Sequence, residues 1–113
     1  MNFIGEYQIS KEAVDELIDY WNSNKSNAEL GLVGNGNLDE GIKKSLEIMI
    51  APEELTNFLY KDELLNCVKQ YISEYKFADD VAFYGINHGT KIQYYDKGWG
   101  FYKWHIENDG DPN

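Results

Sequence analysis

The hydrophobic pattern of this chain changes near Asp79-Asp80, and this change limits the fold classes open to it. Before that point, most apolar residues recur at the three- and four-residue spacing of a helix face, with one strand-like stretch between them. After it, β-branched and aromatic residues form short runs broken by glycine. Helices followed by strands are typical of the α+β class, in which helices pack on one side of a sheet. With 113 residues, the chain has the length of one ordinary domain.

The first part of the chain contains two helical regions with a strand between them. A helix is predicted over Ser10–Trp21, because Ser10 can cap it and apolar residues follow at i, i+3, i+4 and i+7. Ser45–Ile50 alternates between apolar and polar residues, as a strand with one buried face does. Pro52 suits the first position of a helix, so it opens the second helical region, and we expect a break in that region near Lys61.

Three short strands are predicted after the change of period, at Phe83–Ile86, Lys91–Tyr95 and Phe101–Glu107. The chain therefore divides into a helical support region with one strand, residues 1–80, and a β-rich region, residues 81–113.

A few residues within the second helical region are predicted to serve packing. The single cysteine, Cys67, lies in an apolar helical stripe and is interpreted as a core residue. The aromatic pair Tyr71 and Tyr75 is interpreted as the edge of the core. One cysteine excludes a disulfide framework and suits a reducing compartment.

The charge balance excludes several classes of partner. Twenty acidic residues face ten lysines and no arginine, which gives a net charge of −10. We therefore expect neither nucleic acid nor an anionic membrane as a partner, because both attract basic proteins. No apolar run approaches the roughly 20 residues of a membrane span, and Met1–Lys11 does not have the pattern of a signal peptide. A cytoplasmic location is the expectation.

His105 and Glu107 are the candidate metal ligands. On an extended chain, residues i and i+2 share a face, so this imidazole and this carboxylate would project side by side. A nitrogen and an oxygen that converge in this way can form two ligands of a divalent metal site. The alternative interpretation is an ordinary ion pair on the surface.

The residues in front of this pair resemble a known family. Residues 95–107 read Tyr-Asp-Lys-Gly-Trp-Gly-Phe-Tyr-Lys-Trp-His-Ile-Glu. This resembles the Tyr-x-x-Gly…Tyr-x-x-His-x-Asp stretch of 2-oxoglutarate/Fe(II)-dependent oxygenases, in particular the phage-type members of the prolyl-4-hydroxylase-like branch. Residues 91–95 look like the strand that enters this stretch, and residues 10–76 look like the N-terminal support region of that branch. The resemblance implies helices packed on the first strands of a double-stranded β-helix, a jelly-roll-like fold.

The resemblance also implies roles for individual residues. His105 and Glu107 would be the first two ligands of Fe(II), Tyr95 would hydrogen-bond 2-oxoglutarate, and Tyr102 would line the pocket or contact the ligand. The family more often has Asp where this chain has Glu107, so Asp109 stays open as the carboxylate ligand. The implied cofactors are Fe(II) and 2-oxoglutarate as cosubstrate, with ascorbate as an optional further one.

The facial triad of this family contains a second, distal histidine, and a basic residue pairs with 2-oxoglutarate. Neither follows Glu107 in this sequence, and His88, the other histidine, falls in a predicted turn. The expectation is that residues 1–113 are the N-terminal part of a longer oxygenase, with a core that is incomplete at the C-terminus, and are inactive alone.

Two other ligand motifs are incomplete. Gly31-x-x-Gly34-x-Gly36 lacks the Lys-Ser/Thr of a phosphate-binding loop. Asp109-x-Asp111-x-Asn113 matches the first ligands of a calcium-binding EF-hand loop, but a helix should precede such a loop and here a strand is predicted.

Two functions remain open from the sequence. The first is an Fe(II)/2-oxoglutarate-dependent dioxygenase that hydroxylates peptidyl proline or a similar side chain, on an unidentified peptide or small-molecule substrate, in the host cytoplasm if it is encoded by a phage. The alternative is a small acidic binding protein without catalysis that occludes a basic partner.

Overall fold

The structure is a computed structural model that describes residues 2–34, 36–80, 86 and 88–105. It contains both helices and a small sheet, which confirms the α+β class. The helices are α1 (Lys11–Asn24), α2 (Pro52–Leu55) and α3 (Leu59–Glu74), with single 3₁₀ turns after α1 and α3. The strands β1 (Glu29–Leu30), β2 (Leu46–Ile50) and β3 (Thr90–Tyr94) form one open antiparallel sheet in the order β1-β2-β3. None of the described helices has the length and apolar character of a membrane span.

The described residues cluster into two compact units. The helical unit comprises those within 1–27 and 48–92, and the second unit comprises those within 28–47 and 93–113. The buried apolar residues of the described part lie in the helical unit: Ala13, Ile48, Ile50 and Leu55.

In the helical unit, a carboxylate of each long helix accepts hydrogen bonds at the start of the other. Ser10 caps α1, and Glu63 of α3 accepts hydrogen bonds from its backbone N–H at 2.5 Å and its hydroxyl at 2.7 Å. Phe58, the cap position of α3, makes no side-chain capping bond. Instead, Glu16 of α1 accepts from the N–H of Leu59 at 3.0 Å. Later residues of α1 thus contact earlier residues of α3, so the two helices run antiparallel.

The predicted elements before residue 80 are largely confirmed. The helix over Ser10–Trp21 is α1, the strand over Ser45–Ile50 is β2, and Pro52 is the first residue of α2. The predicted break near Lys61 is wrong, because the chain leaves the helix at residues 56–58 and α3 already begins at Leu59. The start of α3 is set by the distant Glu16 carboxylate rather than by a local signal.

The predicted strands after residue 80 have different outcomes. Lys91–Tyr95 is confirmed as β3, whereas Phe83–Ile86 lies, apart from Ile86, outside the described residues. The strand over Phe101–Glu107 is wrong for its described part, since only Phe101 forms an isolated antiparallel bridge. In a strand, residues four apart are separated by about 13 Å. Here the rings of Phe101 and His105 stack with centroids 3.8 Å apart, so the chain turns back after the bridge.

A buried ion pair lies in the second unit. Lys43 is 4% exposed and pairs with Glu47, whose Oε1 also accepts from the Ser45 hydroxyl at 3.1 Å and the Gln93 amide at 2.9 Å. Gly31 packs against this cluster and donates its N–H to the carbonyl of Ser45 at 3.0 Å. A Cβ at Gly31 would lie 2.6 Å from Glu47 Oε1, so close packing requires a glycine here.

Candidate functional site

A tight turn and a short stretch of backbone pairing position the segment that ends at His105. After β3, the N–H of Trp99 donates to the carbonyl of Asp96 at 2.9 Å, and Gly98 adopts a φ of +82°, which glycine tolerates best. Phe101 then bridges to Lys43. Two further backbone hydrogen bonds hold this bridge, Lys44 N–H to Gly100 carbonyl at 2.8 Å and Tyr102 N–H to Ile42 carbonyl at 2.7 Å.

The His105 imidazole is exposed, and its orientation is set by two contacts. Its ring stacks on Phe101 with 13° between the ring planes. Its Nδ1 lies 3.0 Å from the backbone carbonyl oxygen of Lys103. Because a carbonyl oxygen can only accept, Nδ1 carries the proton in this contact, and the neutral ring then has its lone pair on Nε2. Metal-binding histidines commonly have this arrangement, in which one ring nitrogen donates to a carbonyl and the other binds the metal.

The other predicted site residues are placed as follows. Tyr95 is exposed in the segment after β3. Tyr102 is about half exposed, and its hydroxyl donates to the carbonyl of Gly98 at 2.9 Å. The structure thus places the Tyr102 hydroxyl against the turn at Gly98 and stacks the His105 ring on Phe101. Glu107 and the alternative ligand Asp109 lie outside the described residues.

The donor set of the described residues fits part of a metal site. The neutral ring of His105 with its proton on Nδ1 has a lone pair on Nε2 for a metal, and His88 is exposed in a bend. Within residues 2–34, 36–80, 86 and 88–105, no three His, Cys, Asp or Glu side chains come close enough to hold a metal ion. Comparison with protein-family models, curated proteins and solved structures finds no match for this chain.

A cleft in the helical unit is a second candidate site. We call it the aromatic cleft; it has a volume of about 610 Å³ and is lined mainly by Phe3, Tyr71, Glu74, Tyr75, Lys76 and Phe77. The Tyr75 ring lies 4.9 Å from that of Tyr71 and 5.5 Å from that of Phe3. The hydroxyls of Tyr71 and Tyr75 hold the N-terminal segment by donating to the carbonyls of Phe3 at 2.8 Å and of Ile4 at 3.3 Å.

Sequence reasoning found two of these rings but missed the cleft. Tyr71 and Tyr75 are partly buried, in accord with the predicted edge of the core. Phe3, which completes the wall, lies 68 residues before Tyr71, beyond the reach of any helical periodicity. Its φ of 58° is also rare for a bulky residue, and the two tyrosine hydroxyls hold this backbone in place.

Glu74 provides a negative charge at the aromatic cleft. Its Oε2 accepts from the hydroxyl of Tyr7 at 3.1 Å. Partial burial and this hydrogen bond raise the pKa of Tyr7 above that of an ordinary phenol. Partial burial and the charge of Glu74 likewise raise the pKa of Tyr75. Both phenols therefore stay protonated at neutral pH and remain hydrogen-bond donors.

Proposed function

We propose that this chain supplies two iron ligands, His105 and Glu107, to a 2-oxoglutarate/Fe(II)-dependent dioxygenase of the prolyl-4-hydroxylase-like branch. The observation that carries the proposal is the contact between His105 Nδ1 and the Lys103 carbonyl, which directs the lone pair of the neutral ring to Nε2. The motif that runs from Tyr95 to Glu107 supports it, because it resembles the Tyr-x-x-Gly…Tyr-x-x-His-x-Asp stretch of that family, with Glu107 at the position where Asp is more usual.

The side chains of this site would have distinct roles. His105 and Glu107, or Asp109 in its place, would bind the metal, Tyr95 would hydrogen-bond 2-oxoglutarate, and Tyr102 would line the pocket. When bound, Fe(II) and 2-oxoglutarate would supply the oxidative chemistry that hydroxylates a substrate. Ascorbate would be an optional further cofactor.

The proposal includes the finer fold and the substrate. β3 would belong to a double-stranded β-helix, and a peptidyl prolyl or similar side chain would be hydroxylated. A complete facial triad needs a second histidine.

A titration with Mn(II), an inert substitute for Fe(II), tests the metal site. We expect Mn(II) to broaden the NMR signals of His105 and Trp104 first, because a paramagnetic ion affects the nuclei nearest to it. H105Q should abolish this broadening, and E107Q compared with D109N should identify the carboxylate. H88Q is the matched control, since it removes the other exposed histidine.

Two results would contradict the proposal. One is broadening of Trp104 that H105Q leaves unchanged, which would mean that Mn(II) only collects at acidic side chains. The other is a nitrogen spectrum of the neutral His105 ring with the proton on Nε2, which would remove the lone pair that the proposal assigns to the metal.

A further inference from the structure

The aromatic cleft has the size and composition of a small-molecule site. Its volume of about 610 Å³ falls within the roughly 300–1,000 Å³ of ligand pockets. Four aromatic rings line it, and two of them are largely exposed, Phe3 at 62% and Phe77 at 83%. The face of an aromatic ring is electron-rich, so rings that line one cleft can attract a positively charged group.

The charges around the aromatic cleft favour a positively charged occupant. Glu74 lines the cleft, and its carboxylate interacts with both Tyr7 and Tyr75. Asp79 and Asp80 follow in the exposed 3₁₀ turn. An anionic ligand would meet a single lining cation, Lys76, in a chain that has no arginine. A neutral ligand could at most donate a hydrogen bond to Glu74, whereas a cation would also gain the attraction of its charge.

We propose that the aromatic cleft binds a small organic cation with an alkylated ammonium head, held by the faces of Tyr75 and Phe77 and by the carboxylate of Glu74. An alkylated ammonium spreads its charge over methyl groups, so it loses little hydration when it moves against aromatic rings. This site lies in the helical unit and does not depend on the metal ligands proposed above.

Choline and its uncharged isostere 3,3-dimethylbutan-1-ol provide the test. The two have nearly the same shape and differ in the charge of the head group. Titration of the 113-residue chain by calorimetry should show choline binding about tenfold more tightly, the size of a partly desolvated cation–π contact. Phe77→Leu should weaken choline binding and leave the fold intact, because the Phe77 side chain is largely exposed.

Charge variants at the aromatic cleft give the sharper result. Glu74→Gln keeps an oxygen that can accept from Tyr7 but removes the charge, so choline affinity should fall about threefold to fivefold. Lys76→Gln should raise choline affinity, because it removes a like charge. Glu54→Gln is the matched control, since Glu54 accepts from the hydroxyl of Tyr20 at 3.2 Å in the same kind of bond away from the cleft.

The proposal is overturned if choline fails to bind, or if its uncharged isostere binds equally well. It is also overturned if Glu74→Gln and Glu54→Gln lower choline affinity equally, because choline would then respond to net charge alone. A gain in choline affinity from Glu74→Gln together with a loss from Lys76→Gln would also overturn it, because both signs would be opposite to those expected for a bound cation.

Discussion

Replacing Lys43 with methionine isolates the contribution of the buried ion pair in the second unit. Methionine keeps the unbranched side chain and the backbone pairing with Phe101, but removes the ammonium group. The Glu47 carboxylate, whose side chain is 11% exposed, would lose the Lys43 ammonium and keep the Ser45 hydroxyl and the Gln93 amide among its partners. Removing one partner of a buried ion pair is destabilising, because the remaining charge stays largely buried.

The expected cost is about 3 kcal/mol. Breaking a buried pair by removing one partner costs about 3–5 kcal/mol, and the donors that stay on Glu47, the Ser45 hydroxyl and the Gln93 amide among them, put this site near the lower end. Loss of the contact between the Lys43 ammonium and the Phe101 ring, at 5.7 Å, adds about 0.5 kcal/mol or less. With a urea m-value of about 1.5 kcal/mol/M, a loss of about 3 kcal/mol should lower the urea midpoint by about 2 M.

Urea unfolding followed by tryptophan fluorescence measures this cost, because Trp99 belongs to the same unit. Lys44→Met is the matched control. The Lys44 ammonium lies 5.0 Å from the centre of the Trp99 ring, and loss of this cation–π contact should cost no more than about 1 kcal/mol. The double variant K43M/E47Q should recover most of the loss, since a neutral amide oxygen still accepts from the same donors. A cost for K43M below about 1 kcal/mol, or one equal to that of Lys44→Met, would refute the reasoning.

Three further predictions concern single residues. Gly31→Ala should cost about 1–3 kcal/mol in urea unfolding, because its Cβ would meet Glu47 at 2.6 Å. Gly98→Ala should cost only about 1 kcal/mol, because its φ of +82° disfavours alanine but an added Cβ would meet no other atom. If Gly98→Ala cost more than Gly31→Ala, both arguments would be contradicted. Ser10→Ala should cost about 1 kcal/mol through the lost cap of α1. Hydrogen bonds from Ser10 lower the pKa of Glu63 in the folded state. Their contribution to the free energy of unfolding is therefore present at a pH above the carboxyl pKa of the unfolded chain, and it is lost as the pH falls through the lowered pKa of the folded state. Stability measured between about pH 5 and pH 2 should therefore decline less steeply in Ser10→Ala, and an unchanged slope would argue against this bond.

Local signals were sufficient to predict the helices and strands whose ends are determined by residues close to them in the sequence. The Ser10 cap, the alternation in β2 and Pro52 are all readable within a few positions, and each prediction is confirmed. The start of α3 was not readable, because the group that satisfies its first N–H is Glu16, 43 residues earlier. Phe101–Glu107 has the composition of a strand, but the stacking of Phe101 on His105 is a tertiary outcome that composition does not encode.

The candidate sites divide in the same way. The motif identified His105 as a candidate ligand, whereas the contact of its Nδ1 with the Lys103 carbonyl, which favours one tautomer of the neutral ring, is seen only in the structure. The aromatic cleft combines Tyr71 and Tyr75, which share a helical spacing, with Phe3, which lies 68 residues before Tyr71 in the sequence. No pattern along the sequence links the three residues.

The acidic composition also has a different meaning once the structure is known. Several carboxylates accept hydrogen bonds from the chain's own donors, such as Glu16 and Glu63 at the helix starts and Glu54 and Glu74 at tyrosine hydroxyls. In a chain without arginine, backbone N–H groups and hydroxyls take the place of guanidinium as donors. A net charge of −10 is therefore weak evidence for a surface that attracts basic partners, since part of it maintains the fold. The comparison of Glu54 with Glu74 separates the two roles, because both accept from a tyrosine but only Glu74 lines the aromatic cleft. If the net charge of the chain governed binding, neutralising Glu54 or Glu74 would lower the affinity for a cationic ligand equally.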